Sequence, residues 1–229
     1  MSLERVIAVA RGELGYTEYP PGSNWTFYWE EYDPAFQGQP WCLGFLYSCF
    51  KRAGEVNAFM GGGKTASCGT LLRWYEAMGQ TVPVENVQAG DIVILDFTGR
   101  QKDTQHCGLV VGVNYHVSGG WKTSVQTIEG NTTPGEEGSQ DNGGCVALKT
   151  RWGNQIVAVC RPKYKEEPVL KDDITGHWAE KEIRRCIKRG IIKGYPDGSF
   201  QPEKPVTRAE LAAVTDRLIN LLIGEDDGK

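Results

Sequence analysis

The amino-acid sequence predicts an α+β fold for most of the chain, with helices followed by an antiparallel sheet. Apolar residues recur every three to four positions in segments of the first third, which is the period of a helix. Runs rich in β-branched residues begin at residue 91 and continue to residue 160. Helices and strands that are segregated along the chain are typical of the α+β class.

Three helices are expected before the first strand. The second has the clearest signals, because Pro40 stands where a first helical turn tolerates proline and an apolar run of helical spacing follows Trp41. Cys42 therefore begins a helix. Ser67 is the expected cap of the third helix. In chain order, the expected helices lie at 3–14, 41–53 and 67–79.

Five strands are expected to form the sheet that packs against these helices. Their runs lie near residues 91, 107, 123, 145 and 156. The second run is headed by His106, and the third leads into Glu129-Gly130-Asn131. The sheet thereby brings a histidine and two polar residues toward the helix that begins at Cys42.

Cys42 has the local setting of a cysteine nucleophile. The unpaired N–H groups of a helix start stabilise a thiolate and lower its pKa from about 8.5 toward neutrality. His106 is the one histidine of three with a strand setting. It can exchange a proton with Cys42 if a third group orients its ring. Glu129 and Asn131 are both candidates for that group, because residues two apart share a strand face.

Composition excludes several other classes of function. The chain has 229 residues and a formal net charge of −4, with lysines and arginines mixed among acids, so no nucleic-acid partner is expected. No membrane role and no signal peptide are indicated, since Arg11 and Glu13 interrupt the short apolar start. Seven scattered cysteines suit a reducing compartment, and none pairs with a histidine at finger-like spacing. No metal and no cofactor are therefore expected.

Five short motifs carry a family resemblance. They are Gly22-Ser23-Asn24 with Tyr28, Trp41-Cys42-Leu43-Gly44-Phe45, Gly90-Asp91-Ile92-Val93, His106-Cys107-Gly108 and Glu129-Gly130-Asn131. Together they resemble CHAP domains, which are cysteine, histidine-dependent amidohydrolase/peptidases of the papain-like superfamily. The resemblance covers residues 3–163 and implies a papain-like fold that cleaves peptidoglycan.

The resemblance also implies roles for single residues. It makes Cys42 the nucleophile, His106 the base, Glu129 the residue that orients the imidazole and Asn131 a further polar member of the site. Whether Glu129 or Asn131 orients the histidine stays open. The calcium site of some relatives is not expected, because the loop before Cys42 offers chiefly Asp33 and calcium needs six to eight oxygens.

Further residues are candidates for substrate contact. The glutamine that assists the oxyanion hole in papain-like enzymes would be Gln39 or Gln37, beside the backbone N–H of Cys42. Aromatic side chains near the site can line the cleft or can belong to the core. The candidates for the cleft are Asn24, Tyr28 and Trp41, together with Trp25 and Trp29.

A second motif set follows near the C-terminus. Asp173-Ile174-Thr175-Gly176-His177-Trp178, Pro196-Asp197-Gly198 and Thr207-Arg208-Ala209-Glu210 resemble one surface-layer homology (SLH) repeat. We expect a helix from His177 to Arg189, and a second helix with Thr207 and Glu210 as its capping box. Arg208 works against the dipole of that second helix, which indicates an anionic partner. In the family, that partner is an acidic cell-wall polysaccharide.

The predicted organisation is a CHAP-like catalytic domain at 1–163, a linker at 164–170 and a small all-α wall-binding module at 171–229. A single repeat has little core of its own, so we expect a homo-oligomer, a trimer, through this module. The combination predicts an endolysin or autolysin that reaches the wall from the cytoplasm after lysis or holin-mediated release. Amidase and endopeptidase are both open. The alternatives are a catalytically silent wall-binding protein and another papain-like enzyme of the NlpC type.

Overall fold

The computed structural model describes residues 2–116, 122–135, 137–165, 173–195 and 197–223. The chain divides into two compact units, Ser2–Lys165 and Glu166–Lys229. The first unit contains helices followed by a six-stranded antiparallel sheet, which confirms the α+β prediction.

The described part of the first unit contains four α-helices. In chain order they are α1 (Ser2–Gly12), α2 (Phe27–Tyr32), α3 (Cys42–Arg52) and α4 (Cys68–Ala77). The three predicted helices are thus present with shifts of one or two residues. The sequence did not predict α2, whose six residues are too few for a periodic signal. Side-chain caps define the start of α2 at Thr26 and the start of α4 at Ser67.

The sheet has the strand order β1-β6-β2-β3-β4-β5, and each neighbouring pair is antiparallel. Five of its strands fall where the sequence predicts them, and the two-residue β1 adds an edge beside β6. The strands are β1 (Thr81–Val82), β2 (Ile92–Leu95), β3 (His106–His116), β4 (Lys122–Thr132), β5 (Cys145–Trp152) and β6 (Ile156–Cys160).

Helix α3 is the centre of the main core. Every residue from Cys42 to Phe50 is buried. The helix packs closely on β4, because Gly130 has no side chain: a Cβ there would lie 2.5 Å from the Cβ of Phe45. Gly44 likewise makes room for the indole of Trp29, at 2.9 Å from an added Cβ. Gly130 therefore lets the start of α3 approach the sheet, and Gly44 lets α3 approach α2.

The last residues of the first unit are anchored to it. Tyr164 donates a hydrogen bond to the carbonyl of Gly90 at 2.6 Å, and its ring stacks on Phe50. The backbone N–H of Lys165 donates to Glu55 at 3.1 Å. These two residues, which the sequence assigned to the linker at 164–170, therefore pack on the first unit. Residues 166–170 lie outside the described residues.

The second unit contains α5 (Glu180–Lys188) and α6 (Arg208–Ile223) in its described part. The capping box predicted for α6 is present: Thr207 N–H donates to Glu210 at 2.8 Å, and Glu210 N–H donates to Thr207 Oγ1 at 3.2 Å. The predicted start of α5 at His177 is three residues early. The all-α character of the module and its trimerisation stay predictions. No helix in the described part of the chain combines the length and apolar character that a membrane span needs.

Candidate active site

The start of α3 holds the predicted nucleophile. Cys42 is the first residue of the helix, and its side chain is only 5% exposed. Trp41 precedes it and is fixed by a 2.7 Å hydrogen bond from its indole N–H to the buried Glu18. The thiol is therefore held at the positive end of the helix dipole, with little of its surface open to solvent.

His106 is the first residue of β3 and is completely buried. Its backbone pairs with Leu95 of β2, so the sheet fixes where the ring lies. Neither ring nitrogen has a well-directed hydrogen bond to the described residues. Nε2 nevertheless lies 3.2 Å from Oε2 of Glu129. Catalytic hydrogen bonds are often poorly aligned without substrate, so this geometry is compatible with a role for the pair.

Glu129 is held by Arg151 and Thr127. The guanidinium of Arg151 donates to both carboxylate oxygens, at 2.8 Å from Nε and 2.5 Å from Nη2. Thr127 donates from its hydroxyl to Oε1 at 2.6 Å. Gly108 leaves room for this carboxylate, because an added Cβ would lie 2.8 Å from Cγ of Glu129. The glycine of the His-Cys-Gly motif thus lets Glu129 lie against β3.

The electrostatics of these residues favour a charged pair. Burial alone would raise the pKa of Glu129, but the hydrogen bonds from Arg151 and the nearby imidazole of His106 outweigh it and lower the pKa to about 2. Burial alone would lower the pKa of His106, yet interactions with Cys42 and Glu129 raise the pKa to about 9. Hydrogen bonds from Cys107 and Cys68, together with His106, lower the pKa of Cys42 well below its usual value. A thiolate and an imidazolium are thereby stabilised side by side.

Asn131 has a different set of contacts. It is fully buried with a left-handed φ of 61°. Its amide nitrogen donates to Asn142 at 3.0 Å, and its amide oxygen accepts from Gly144 N–H at 3.3 Å. The side chain therefore braces the connection between β4 and β5, at a register shift between Glu129 and Thr132.

The structure places three of the expected cleft residues, Tyr28, Trp29 and Trp41, in the core. Tyr28 and Trp41 are both fully buried and stack on each other, and Tyr28 donates to Glu13 at 2.7 Å. They offer no surface to a substrate, because the aromatic residues around α2 pack among themselves rather than around a cleft. Trp29 is buried as well, whereas Trp25 is 55% exposed.

The other expected contacts differ in their accessibility. Gln39 is exposed three residues before Cys42. Gln37 is not free for an oxyanion, because its amide bonds both the N–H and the carbonyl of Thr26. Asn24 is half-buried with a φ of 55°, and its side-chain oxygen has no hydrogen-bond partner in the described part of the chain.

The sequence did not single out Arg151, Cys68 or Cys107 for this site. The sequence gives only a weak indication for Arg151. It lies at a buried position in the alternating pattern of β5, where a charged residue needs a buried partner. The thiols of Cys68 and Cys107 lie with that of Cys42 within 4.8 Å of one another. The three cysteines come from separate elements, so no spacing in the sequence could predict their meeting.

Two protein families match this chain. Residues 34–131 match the CHAP domain and residues 172–212 match the S-layer homology domain. The chain therefore carries a CHAP domain followed by one SLH domain, as the motifs indicate. A CHAP domain is a papain-like domain with amidase or peptidase activity in general. The pair of domains supports a cell-wall-targeted peptidoglycan hydrolase or wall-binding protein.

Relatives of known name share short stretches with this chain. The cellulosome-anchoring protein of Acetivibrio thermocellus is 49% identical over 45 residues, which is 20% of this chain and 10% of that protein. The S-layer protein of Bacillus licheniformis is 37% identical over 81 residues, 35% of this chain and 9% of that protein. The outer membrane protein SlpA of Deinococcus radiodurans is 45% identical over 53 residues, 23% of this chain and 4% of that protein.

These matches span a tenth or less of each relative's length. The three relatives are a cellulosome-anchoring protein, an S-layer protein and an outer membrane protein. No solved structure matches the chain.

Proposed function

We propose that the first unit is a cysteine-dependent amidohydrolase that cleaves an amide bond of peptidoglycan, and that the SLH domain brings it to the wall. The observation that carries the proposal is the arrangement of Cys42 at a helix start, His106 at a strand start and Glu129 3.2 Å from the imidazole. We propose an action of the endolysin or autolysin type.

The reaction follows from the charge states of these residues. The Cys42 thiolate attacks the carbonyl carbon, and the imidazolium of His106 gives its proton to the amine as the C–N bond breaks. A thioester to Cys42 remains. Water then attacks the thioester while His106 takes one of its protons, the C–S bond breaks, and the free thiolate forms together with a carboxylic acid, which loses its proton to solvent. The backbone N–H of Cys42 has no acceptor within the helix, so it can donate to the oxyanion, with Gln39 as the candidate second donor.

We assign the orienting role to Glu129 rather than to Asn131. The carboxylate of Glu129 faces the imidazole and is kept ionised by Arg151. The amide of Asn131 is engaged by Asn142 and Gly144, on the connection that follows β4. Asn131 then supports the site by holding the end of the strand that presents Glu129.

The reaction class is tested by counting the new chemical groups in digested walls. Purified peptidoglycan is incubated with the protein, and free amino groups and reducing sugar ends are both measured. We expect amino groups to increase while reducing ends stay constant. Reducing ends without amino groups would mean a glycosidase. Binding to walls with no new group of either kind would support the silent wall-binding protein instead.

The rate of cleavage should depend on pH through the His106 imidazolium. The active form needs a charged thiolate and a charged imidazolium, so kcat/KM falls as pH rises through the His106 pKa of about 9. In Glu129→Gln the carboxylate that stabilises the imidazolium is lost, and this fall should move to lower pH. Glu85→Gln, at an exposed position, is the control and should keep the parent profile. An unchanged profile in Glu129→Gln would contradict the orienting role.

Binding to the wall should depend on Arg208. This arginine is exposed at the first residue of α6, where it opposes the helix dipole. Arg208→Ala should weaken sedimentation of the protein with walls that carry an acidic polysaccharide. Arg189→Ala is the matched control, because Arg189 is exposed at the C-terminal cap of α5 and is explained by the dipole alone. Equal wall binding by Arg208→Ala and Arg189→Ala would contradict the assignment of Arg208 to polysaccharide binding.

A further inference from the structure

Three cysteine thiols converge beside the proposed nucleophile. Cys42 begins α3, Cys68 begins α4 and Cys107 is the second residue of β3. Their sulfur atoms lie within 4.8 Å of one another, and those of Cys42 and Cys68 are 3.9 Å apart. All three cysteines are free and buried. Hydrolysis of an amide needs one thiol, so the mechanism above does not explain why three should meet.

The spacing of the sulfur atoms suits a thiophilic metal ion. Zinc binds thiolates at about 2.3 Å, which separates two sulfurs of a tetrahedral site by about 3.8 Å. The distance between Cys42 and Cys68 already has this value. The other two distances are at most 4.8 Å, so small side-chain rotations close the remaining gap. An isolated buried cysteine is usually a packing residue. Three cysteines whose sulfur atoms lie at the spacing of metal ligands instead form a candidate ligand set.

His106 lies outside this ligand set. Its ring is completely buried, and Nε2 lies 3.2 Å from Oε2 of Glu129 without a well-directed hydrogen bond. It is not among the residues whose ligand atoms lie within 4.8 Å of one another. A tetrahedral ion held by three thiolates therefore keeps its fourth position for water.

We propose that Cys42, Cys68 and Cys107 bind a zinc-like thiophilic cation, and that the bound ion holds the enzyme inactive. Binding converts thiols to thiolates and releases their protons to solvent, without any redox change. The ion occupies the sulfur that would attack the substrate. The proposal has two parts. Its inhibitory half, that the ion inhibits the enzyme, rests on the proposed function. Its binding half, that the three thiols bind the ion, does not.

Cadmium reports the binding half directly. The full chain, stripped with a chelator and kept under a phosphine reductant, is titrated with Cd²⁺ while the thiolate-to-metal charge-transfer band is followed. We expect one ion per chain. Loss of a supporting residue outside the ligand set usually weakens a metal site by about 10–100-fold. Cys68→Ser or Cys107→Ser, which removes a ligand, should therefore weaken binding at least tenfold.

Cys145→Ser is the matched control. Cys145 is also a buried free thiol, but it donates to the carbonyl of Thr132 at 2.8 Å, a bond that a serine can keep. This variant should bind cadmium like the parent. Cys68→Ala provides a second test of the same ligand if Cys68→Ser fails to fold. No saturable band in the parent, or equal binding by the parent and the folded Cys68 variant, would overturn the metal site.

Amide hydrolysis tests the inhibitory half. Release of amino groups from walls is measured at increasing Zn²⁺ for the parent and Cys68→Ser, each relative to its own metal-free rate. We expect the half-inhibitory concentration to be at least tenfold higher for Cys68→Ser, and a chelator to restore the parent rate. A parent that binds the ion and hydrolyses at full rate would overturn the inhibition. A parent that binds cadmium but never hydrolyses walls would contradict the proposed function and leave the metal site standing.

Discussion

Cys42→Ala is expected to lose wall hydrolysis by at least about 10⁴-fold, because the thiolate that forms the covalent intermediate is removed. Folding should be retained, since the change removes a single sulfur atom from the start of α3. The rate of amino-group release from walls measures the first effect, and thermal unfolding followed by circular dichroism measures the second.

Cys49→Ala is the matched control for this loss. Cys49 lies on the same helix two turns later and is equally buried, but it is not part of the three-thiol cluster. Its replacement should cost similar stability and leave hydrolysis close to the parent rate. Hydrolysis by Cys42→Ala at the parent rate would show that another residue is the nucleophile.

Arg151→Met should lower the free energy of unfolding by about 3–5 kcal/mol, which is the usual cost of breaking one side of a buried ion pair. Arg151 and Glu129 are both nearly inaccessible to water and share two hydrogen bonds. Without the guanidinium, the carboxylate is left buried with only Thr127 and His106 beside it. Urea denaturation measures the change.

Two further variants separate the ion pair from general effects of losing an arginine. The double variant Glu129→Gln with Arg151→Met should recover much of the lost stability, because it leaves no buried charge uncompensated. Arg100→Met breaks an exposed pair with Asp103 and should cost at most about 1 kcal/mol. A change of less than 1 kcal/mol in Arg151→Met would mean that water reaches Glu129.

Local signals in the sequence were sufficient for most of the helices and strands. Pro40 and the apolar run after Cys42 specify a helix start within one residue, because both act within the first turns. The capping box of Thr207 and Glu210 is likewise a contact between residues three apart. Such interactions depend on short spacing, which the sequence shows directly.

The parts that the sequence did not predict depend on contacts between distant segments. Glu129 and Asn131 are equivalent by strand period, but a register shift at the end of β4 gives them different partners. Tyr28 is a plausible cleft aromatic until the packing of α2 buries it. The pairing of Arg151 with Glu129 and the meeting of the three thiols arise only once the sheet and helices assemble.

The central claim is that Cys42 catalyses hydrolysis of an amide bond in peptidoglycan, and mass spectrometry of the released fragments tests it most directly. Purified walls are digested by the parent and by Cys42→Ala in water enriched in ¹⁸O. The account predicts fragments from the parent alone, each with ¹⁸O in a new carboxylate. A cut at the lactyl amide would identify an amidase, and a cut in the stem or cross-bridge an endopeptidase. The same labelled fragments from Cys42→Ala, or no fragments from the parent, would contradict the account.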